Sequence, residues 1–379
     1  MVHDIPASRS QVNRTIAAES RWTPTVVHVS PTYFARESAI GGGERYAEDL
    51  SRAMSDRALV RFVSFGPRAF RERVGDRYDR VILKNWTRDK MTPFSLRLWR
   101  ELRGARAIHC YQLNTLSTFL AVLFAHLCRV PVFVSDLGGG GWTPGYHVDI
   151  GRWLNGHLPI SNYAAQGLPR GHRSACVIYG GVDLDKFPAR TELCHDGTVI
   201  FLGRILPHKG IHHLIEGLPE ECQLRVIGPI ASDDYLDRLK LLALGKKVEF
   251  LHGLSDSEIA SRLRRAAVLV HPTPTDSVGN AGVNELLGLA VLEAMASNCP
   301  VIVSAAASLP ELVEHEVSGL VVPSNDPGAI RSAIRRVIGN PSLWKQLAVE
   351  GRIRVEREFV WPKVVDRCLR AYGIPEFGF

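Results

Sequence analysis

What most constrains this chain is an alternation of short apolar runs with helix-patterned stretches, clearest in its second half. Strand-length apolar runs fall at 198–202, 224–227, 248–251, 267–270, 301–304 and 319–322. Helical patterns lie between them at 211–218, 233–244, 255–265 and 289–297. Asp326-Pro327 opens a further helix, with Asp as N-cap and Pro at the first helical position. The first half repeats the rhythm with runs at 25–30, 60–65, 81–83, 107–110 and 130–135, and with a helical pattern over 44–54. Strands separated by helices pair in parallel and need cover on both faces, so the pattern predicts mostly parallel sheets sheathed in helices.

At 379 residues the chain exceeds what one core of roughly 250–300 residues holds, which makes two similar α/β domains in tandem the expectation. The boundaries read as a disordered tail over 1–24, a first domain over 25–187, a second over 188–362, and a segment 363–379 that returns to the first. The linker is placed between Asp183 and Gly197, where Pro188 interrupts and no periodicity is visible. Hydrophobic residues make up 45% and charged residues 22%, which excludes wholesale disorder. The 7 cysteines are odd in number, scattered and without a C-x-x-C pair. That argues against a disulfide framework or zinc ribbon and for a reducing, cytoplasmic setting. Residues 1–24 contain no apolar core, so no signal peptide is expected. The stretch 113–128 is interrupted by Asn114, Thr115, Ser117, Thr118 and His126 and reads as a buried helix rather than a membrane span.

In parallel α/β sheets, ligands sit at the carboxyl ends of the strands. Three segments there carry chemistry. In Phe201-Leu-Gly-Arg204-Ile-Leu-Pro-His-Lys209-Gly210, two cations stand at a strand-to-helix turn, an arrangement that suits a diphosphate. Two solvated basic residues in a loop are the plain alternative. In Glu285-Leu-Leu-Gly288-Leu-Ala-Val-Leu-Glu293-Ala-Met-Ala296, Glu293 falls in an apolar helical run. A carboxylate there is costly to bury unless partnered, and ligand hydroxyls would partner it; an ordinary helix Glu facing water is the alternative. Spacing at about 100° per residue places Glu285 and Glu293 off opposite faces, with Gly288 where the helix starts. Gly41-Gly42-Gly43-Glu44-Arg45 lets backbone approach a ligand closely. It is not G-x-G-x-x-G, since position 46 is Tyr, and no P-loop motif occurs, which removes the main support for dinucleotide dehydrogenases and P-loop NTPases.

Together these segments resemble glycosyltransferase family 4, whose members are retaining, nucleotide-sugar-dependent enzymes of the GT-B fold, two Rossmann-like domains facing a cleft. Ile160-Ser161-Asn162-Tyr163, Val177-Ile-Tyr-Gly-Gly181-Val-Asp183, Cys299-Pro300-Val301-Ile302, Leu309-Pro310-Glu311-Leu312 and Gly319-Leu-Val-Val-Pro323 extend the likeness from about 26 to 372. The resemblance implies an acceptor-binding first domain and a donor-binding second. It implies that Arg204 and Lys209 neutralise the donor diphosphate, that Glu293 binds the ribose, and that Glu285 holds the sugar. Gly288 and Leu289 would offer backbone amides, and Gly42 and Gly43 would approach from across the cleft. It implies a UDP- or GDP-linked donor, a glycan or lipid-linked acceptor, and no metal or other cofactor, the cations doing the neutralising. The only D-x-D, Asp183-Leu-Asp185, lies in the expected linker.

The sequence departs from the family in places. The strand over 130–135 ends in Ser135-Asp136-Leu137 with no His, so that role is vacant or falls to Asp136. His109 resembles a family His; a satisfied strand-end His is the alternative. Residues 272–284 form a longer loop than usual. From Arg61 to Arg106 there are 13 Lys or Arg against 5 Asp or Glu, which leaves 33 against 34 elsewhere. With Trp86, Met91, Phe94 and Trp99 in the same segment, docking on an anionic membrane is one reading and a solubilising surface the other. No nucleic-acid module is present. A sugar transferase acting in surface-polysaccharide assembly is thus weighed against a catalytically silent nucleotide-binding or partner-supporting subunit.

Overall fold

Each of two mostly parallel sheets turns the carboxyl ends of its parallel strands toward a shared cleft in the computed structural model, which describes residues 25–31, 42–87, 92–138, 148–168, 172–275 and 285–374. The tail 1–24, Gly41, Met91 and residues 276–284 of the long loop lie outside the described residues. The first sheet runs through β1 (Val26–Val29), β2 (Val60–Gly66), β3 (Phe70–Val74), β4 (Tyr78–Lys84), β5 (Ala107–Tyr111), β6 (Val132–Ser135) and β7 (Gly156–His157), in the order β3-β4-β2-β1-β5-β6-β7. The second contains β8 (Val199–Leu202), β9 (Gln223–Ile227), β10 (Lys247–Leu251), β11 (Val268–His271), β12 (Val301–Ser304) and β13 (Leu320–Val322), in the order β10-β9-β8-β11-β12-β13. Its neighbours are all parallel. The runs β1, β8, β11 and β12 are buried along their whole length, as strands covered on both faces must be.

Helices of the first domain are α1 (Gly42–Met54), α2 (Leu98–Leu102), α3 (Leu116–Cys128) and α4 (Asn162–Gln166). The second adds α5 (Ile211–Gly217), α6 (Asp233–Leu242), α7 (Asp256–Leu263), α8 (Leu289–Ala296), α9 (Leu309–Leu312), α10 (Pro327–Ile338) and α11 (Pro341–Glu358), and α12 (Trp361–Tyr372) follows. The caps are local and legible. Asp326 accepts the Ala329 N–H at 2.8 Å, as Asp before Pro predicts, and Ser255 with Glu258 forms a capping box.

Where the chain crosses between domains, two segments run side by side. Val182 pairs with Val360, and the Val182 N–H donates to the Phe359 carbonyl at 2.8 Å. A Cβ on Gly181 would lie 2.7 Å from the Trp361 nitrogen, so the two crossings touch. The second crossing precedes the expected 362/363 boundary, and α12 packs on α1 of the first domain. A second tie joins the domains, the Asn162 and Tyr163 N–H groups each donating to the Glu311 carboxylate at 2.7 Å.

Three details refine the sequence reading. β3 reads Phe-Arg-Glu-Arg-Val and shows no apolar run because it is an exposed edge strand, antiparallel to β4. Glu285 precedes α8, as the helix start expected at Gly288 implies, and the chain turns at that glycine (φ 88°). Part of the charge excess over 61–106 is paired within the first domain. Arg61 is buried between Asp79 (2.9 Å) and Glu101 (3.1 Å), Arg71 also meets Asp79 (2.7 Å), and Arg80 bridges Glu48 (3.2 Å) and Glu72 (2.6 Å).

Candidate functional site

The cleft holds a cavity of about 720 Å³, walled by both domains. On the second-domain side its floor is kept bare by two glycines. Gly203 (φ 155°) and Gly228 (φ 150°) follow β8 and β9, and a Cβ on Gly228 would lie 2.0 Å from the Gly203 carbonyl oxygen. Arg204 comes next; it lines the cavity, is exposed, and has no ion-pair partner among the described residues. A single 3-10 turn, Pro207–Lys209, closes on Gly210 and delivers Lys209 to the same wall.

Lys209 Nζ donates to Glu285 Oε2 at 2.5 Å, while Glu285 Oε1 accepts the Gly288 N–H at 3.0 Å. The Glu285 carbonyl in turn accepts Ser308 Oγ at 2.8 Å, so the carboxylate stands on a pinned backbone. His271, at the end of β11, brings Nε2 to 3.5 Å from Glu285 Oε2 and its Nδ1 to 3.0 Å from Thr273 Oγ1. Burial works to raise the Glu285 pKa, but the Lys209 ammonium beside it prevails and holds it at about 2. Burial pulls His271 down to about 4 against the opposing pull of Glu285, and His208 on the same wall is likewise at about 4 through burial and its neighbours Lys209 and Arg204. Near neutral pH this part of the wall therefore presents cations, the ionised Glu285 carboxylate and neutral imidazoles.

Glu293 lies on α8, on the same cavity wall. Its partner comes from the first domain: Arg45 Nη2 is 3.5 Å from Glu293 Oε1 and 3.5 Å from Asp256 Oδ1. Burial pushes Glu293 up to about 7, with Arg45 opposing only in part and Asp256 and Asp49 adding to the rise. Gly42 and Gly43 form the first turn of α1, and Gly43 lines the cavity opposite Gly288 and Leu289. The glycine loop thus ends one turn inside the helix and presents an N-terminus to the cleft.

Two expected residues lie off this wall. His109 is fully buried beneath it, its Nε2 2.8 Å from Ser135 Oγ and its Nδ1 hydrogen-bonded to Tyr372 Oη at 2.7 Å. It is a satisfied strand histidine, not a cavity-lining one. Asp136 bends back to accept the Gly138 N–H at 3.1 Å, and its neighbours Leu137 and Gly138 form the wall instead. Asp183 caps its own turn, Oδ1 accepting the N–H groups of Asp185 (3.0 Å) and Lys186 (3.2 Å). Arg45, His208, Asp256 and His271 were not singled out from the sequence. His271 ends a strand at the ligand-facing edge and Arg45 closes the glycine motif, signals that were there to be taken. Among the described residues no group of three or more His, Cys, Asp or Glu is disposed to hold a metal ion.

Residues 186–354 match the family model described as glycosyl transferases group 1. An uncharacterized glycosyltransferase of Methanocaldococcus jannaschii is 28% identical over 305 residues, covering 70% of this chain and 75% of that protein. A D-inositol 3-phosphate glycosyltransferase of Streptomyces bingchenggensis is 30% identical over 54% of this chain and 48% of its own, so the chain spans about half the length of that relative. The structure of Anabaena HepE in complex with UDP and glucose superposes with a TM-score of 0.70 at 17% identity, covering 92% of this chain and 99% of that one, which shows the shared GT-B fold.

Proposed function

We propose, from the premise that this chain is a GT-B glycosyltransferase that belongs through residues 186–354 with the glycosyl transferases of group 1, that it moves a hexose from a nucleotide-sugar donor to a glycan or lipid-linked acceptor with retention of configuration. The reading rests on one observation: the guanidinium of Arg204, without an ion-pair partner among the described residues, and the Lys209–Glu285 couple line the same cavity wall. Arg204 and Lys209 take the diphosphate. Glu293 accepts from the ribose hydroxyls, with Arg45 closing on it from the first domain. Glu285, held ionised, accepts from hydroxyls of the sugar. The N–H groups of Gly288 and Leu289 and the first turn of α1 at Gly42 and Gly43 complete the anion cradle. The bond from the anomeric carbon to the diphosphate oxygen breaks, a bond to the acceptor oxygen forms on the same face, and the acceptor proton passes to the departing phosphate. Negative charge grows on the diphosphate as the bond breaks, and fixed cations there lower the barrier without a metal.

The surface-polysaccharide or lipopolysaccharide setting, on the cytoplasmic face of a membrane, is part of the same proposal. UDP is the first nucleotide to try, because HepE is described with UDP and glucose. The test is donor turnover in water. With UDP- or GDP-hexoses in EDTA, the protein is expected to release nucleoside diphosphate slowly, and Lys209→Met to lower the rate about 100- to 1000-fold. Release that needs a divalent ion would refute the metal-free part of the reading. No release with any common donor would favour the silent subunit, the reading to which Asp136, bent away from the wall, lends its weight.

A further inference from the structure

On the first domain, far along the chain from the site residues of the second, α3 is built inside out. Its small residues Ser117, Thr118, Ala121 and Ala125 face the sheet with Val122. Its large ones, Leu116, Leu120, Leu123, Phe124 and Leu127, recur at helical spacing on the other side and are only partly covered; Leu127 is 71% exposed. The segment was expected to be a buried helix, and only one side of it is. Its neighbours extend the apolar face. α2 packs along one flank and exposes Leu96 and Trp99 beside it; the turn Ile150–Trp153 packs along the other, with Trp153 exposed and stacked on His126.

The rim is cationic. Arg97, Arg100, Arg103, Arg106 and Arg129 are exposed and make no ion pair among the described residues. Arg100 and Arg103 lie against the Trp99 ring. The acids of this face are engaged elsewhere, Glu101 with Arg61 and Arg71, and Asp149 with Arg152 and His172. Arg103, Arg106 and Arg129 line a second cavity of about 490 Å³ that carries no acid in its walls.

We propose that this α2–α3 face docks on an anionic lipid leaflet, with Leu127, Trp99 and Trp153 at the acyl boundary and a headgroup phosphate in the Arg103–Arg106–Arg129 cavity. An apolar stripe flanked by indoles and ringed by guanidiniums matches the interface, where aromatic rings sit at headgroup level and basic side chains meet surface charge. A second copy of the chain fits worse, since a two-fold contact would set this arginine rim against itself. The inference deepens the membrane setting proposed above, and because none of these residues lines the cleft, membrane binding and sugar transfer can fail separately.

The test is co-sedimentation of the full chain with phosphatidylcholine vesicles, with and without an equal part of phosphatidylglycerol. Binding is expected only to the anionic vesicles and is expected to be lost near ~0.5 M salt. The triple variant Arg103→Glu, Arg106→Glu, Arg129→Glu should weaken it by about tenfold or more, and so should Leu127→Glu, while Arg335→Glu on the second domain changes nothing. Brominated lipid should quench tryptophan emission, and Trp99→Phe with Trp153→Phe should remove the quenching. Circular dichroism and unchanged donor hydrolysis verify that the variants remain folded. Equal binding to neutral vesicles, binding indifferent to these variants, or a solution dimer that Leu127→Glu dissolves would each overturn the proposal.

Discussion

Lys209 and Glu285 are each other's counter-ion at 2.5 Å, and removing either leaves a charge in a desolvated wall. Lys209→Met should therefore destabilise the fold by about 3–5 kcal/mol at neutral pH, and the double variant Lys209→Met, Glu285→Gln should recover most of that, as urea unfolding would measure. The Glu285 carboxyl is held at about 2, below its ordinary 4.5, so its contribution is present above 4.5 and fades as pH falls toward 2. The cost of Lys209→Met should shrink in that same window. Glu293 behaves oppositely. Its folded pKa of about 7 lies above the ordinary 4.5, so its protonated form favours folding below 4.5 and that advantage is lost as pH rises through 7. Glu293→Gln should leave stability unchanged at pH 4 and raise it by about 3 kcal/mol at pH 8, while weakening donor binding. A variant no more stable at pH 8 than the wild type would show that Arg45 already neutralises the buried charge.

Glu311 belongs to the four-residue helix α9, yet it accepts from the Asn162 and Tyr163 N–H groups at 2.7 Å and from Asn162 Nδ2 at 2.9 Å. These are first-turn donors of α4 in the other domain, beside the Ser161 cap. Glu311→Gln replaces charge-assisted bonds with neutral ones and should cost about 1–3 kcal/mol. Small-angle scattering should then show a wider distribution of domain separations, and unchanged scattering and stability would show the crossing at Val182 and Val360 to be sufficient. Both partners stood out in the sequence, but separately, because their pairing spans about 150 positions and no period links them. The same limit governed the site. Most of the strands, α8 and its glutamate, and the Asp326 cap were legible, since each is written in local spacing. The Arg45–Glu293 contact, the polar edge strand β3 and the outward-facing leucines of α3 were not, since apolar periodicity reports that a helix has a face but not which way the face is turned.

At the scale of the whole molecule, the returning helix α12 ties the chain's end to its beginning, and histidines are placed beneath it. Tyr372 hydrogen-bonds His109, which meets Ser135, and His28 lies 2.6 Å from Ser51 Oγ and 3.1 Å from the Tyr111 hydroxyl. Burial pulls His28 down to about 3 and His109 well below its ordinary value, and nearly buried His157 is at about 4. All three belong to the first domain. A folded pKa below the unfolded 6.5 means stability is full above 6.5 and is lost as pH falls, at about 1.4 kcal/mol per pH unit for each group. In the second domain His271 is comparably buried, but Glu293 gains stability over nearly the same window and offsets it. His208 and His212 are also pulled down to about 4, yet both reach solvent, which screens their share. Acid should therefore open the first domain before the second. Hydrogen exchange read by mass spectrometry at pH 5 should show β1, β5, α1 and α12 losing protection while β8, β11 and β12 retain it, and the double variant His28→Gln, His109→Gln should flatten that pH dependence even where it lowers stability at neutral pH. Simultaneous loss across both sheets would mean that the crossing at Val182 and Val360 couples the domains more strongly than the buried imidazoles divide them.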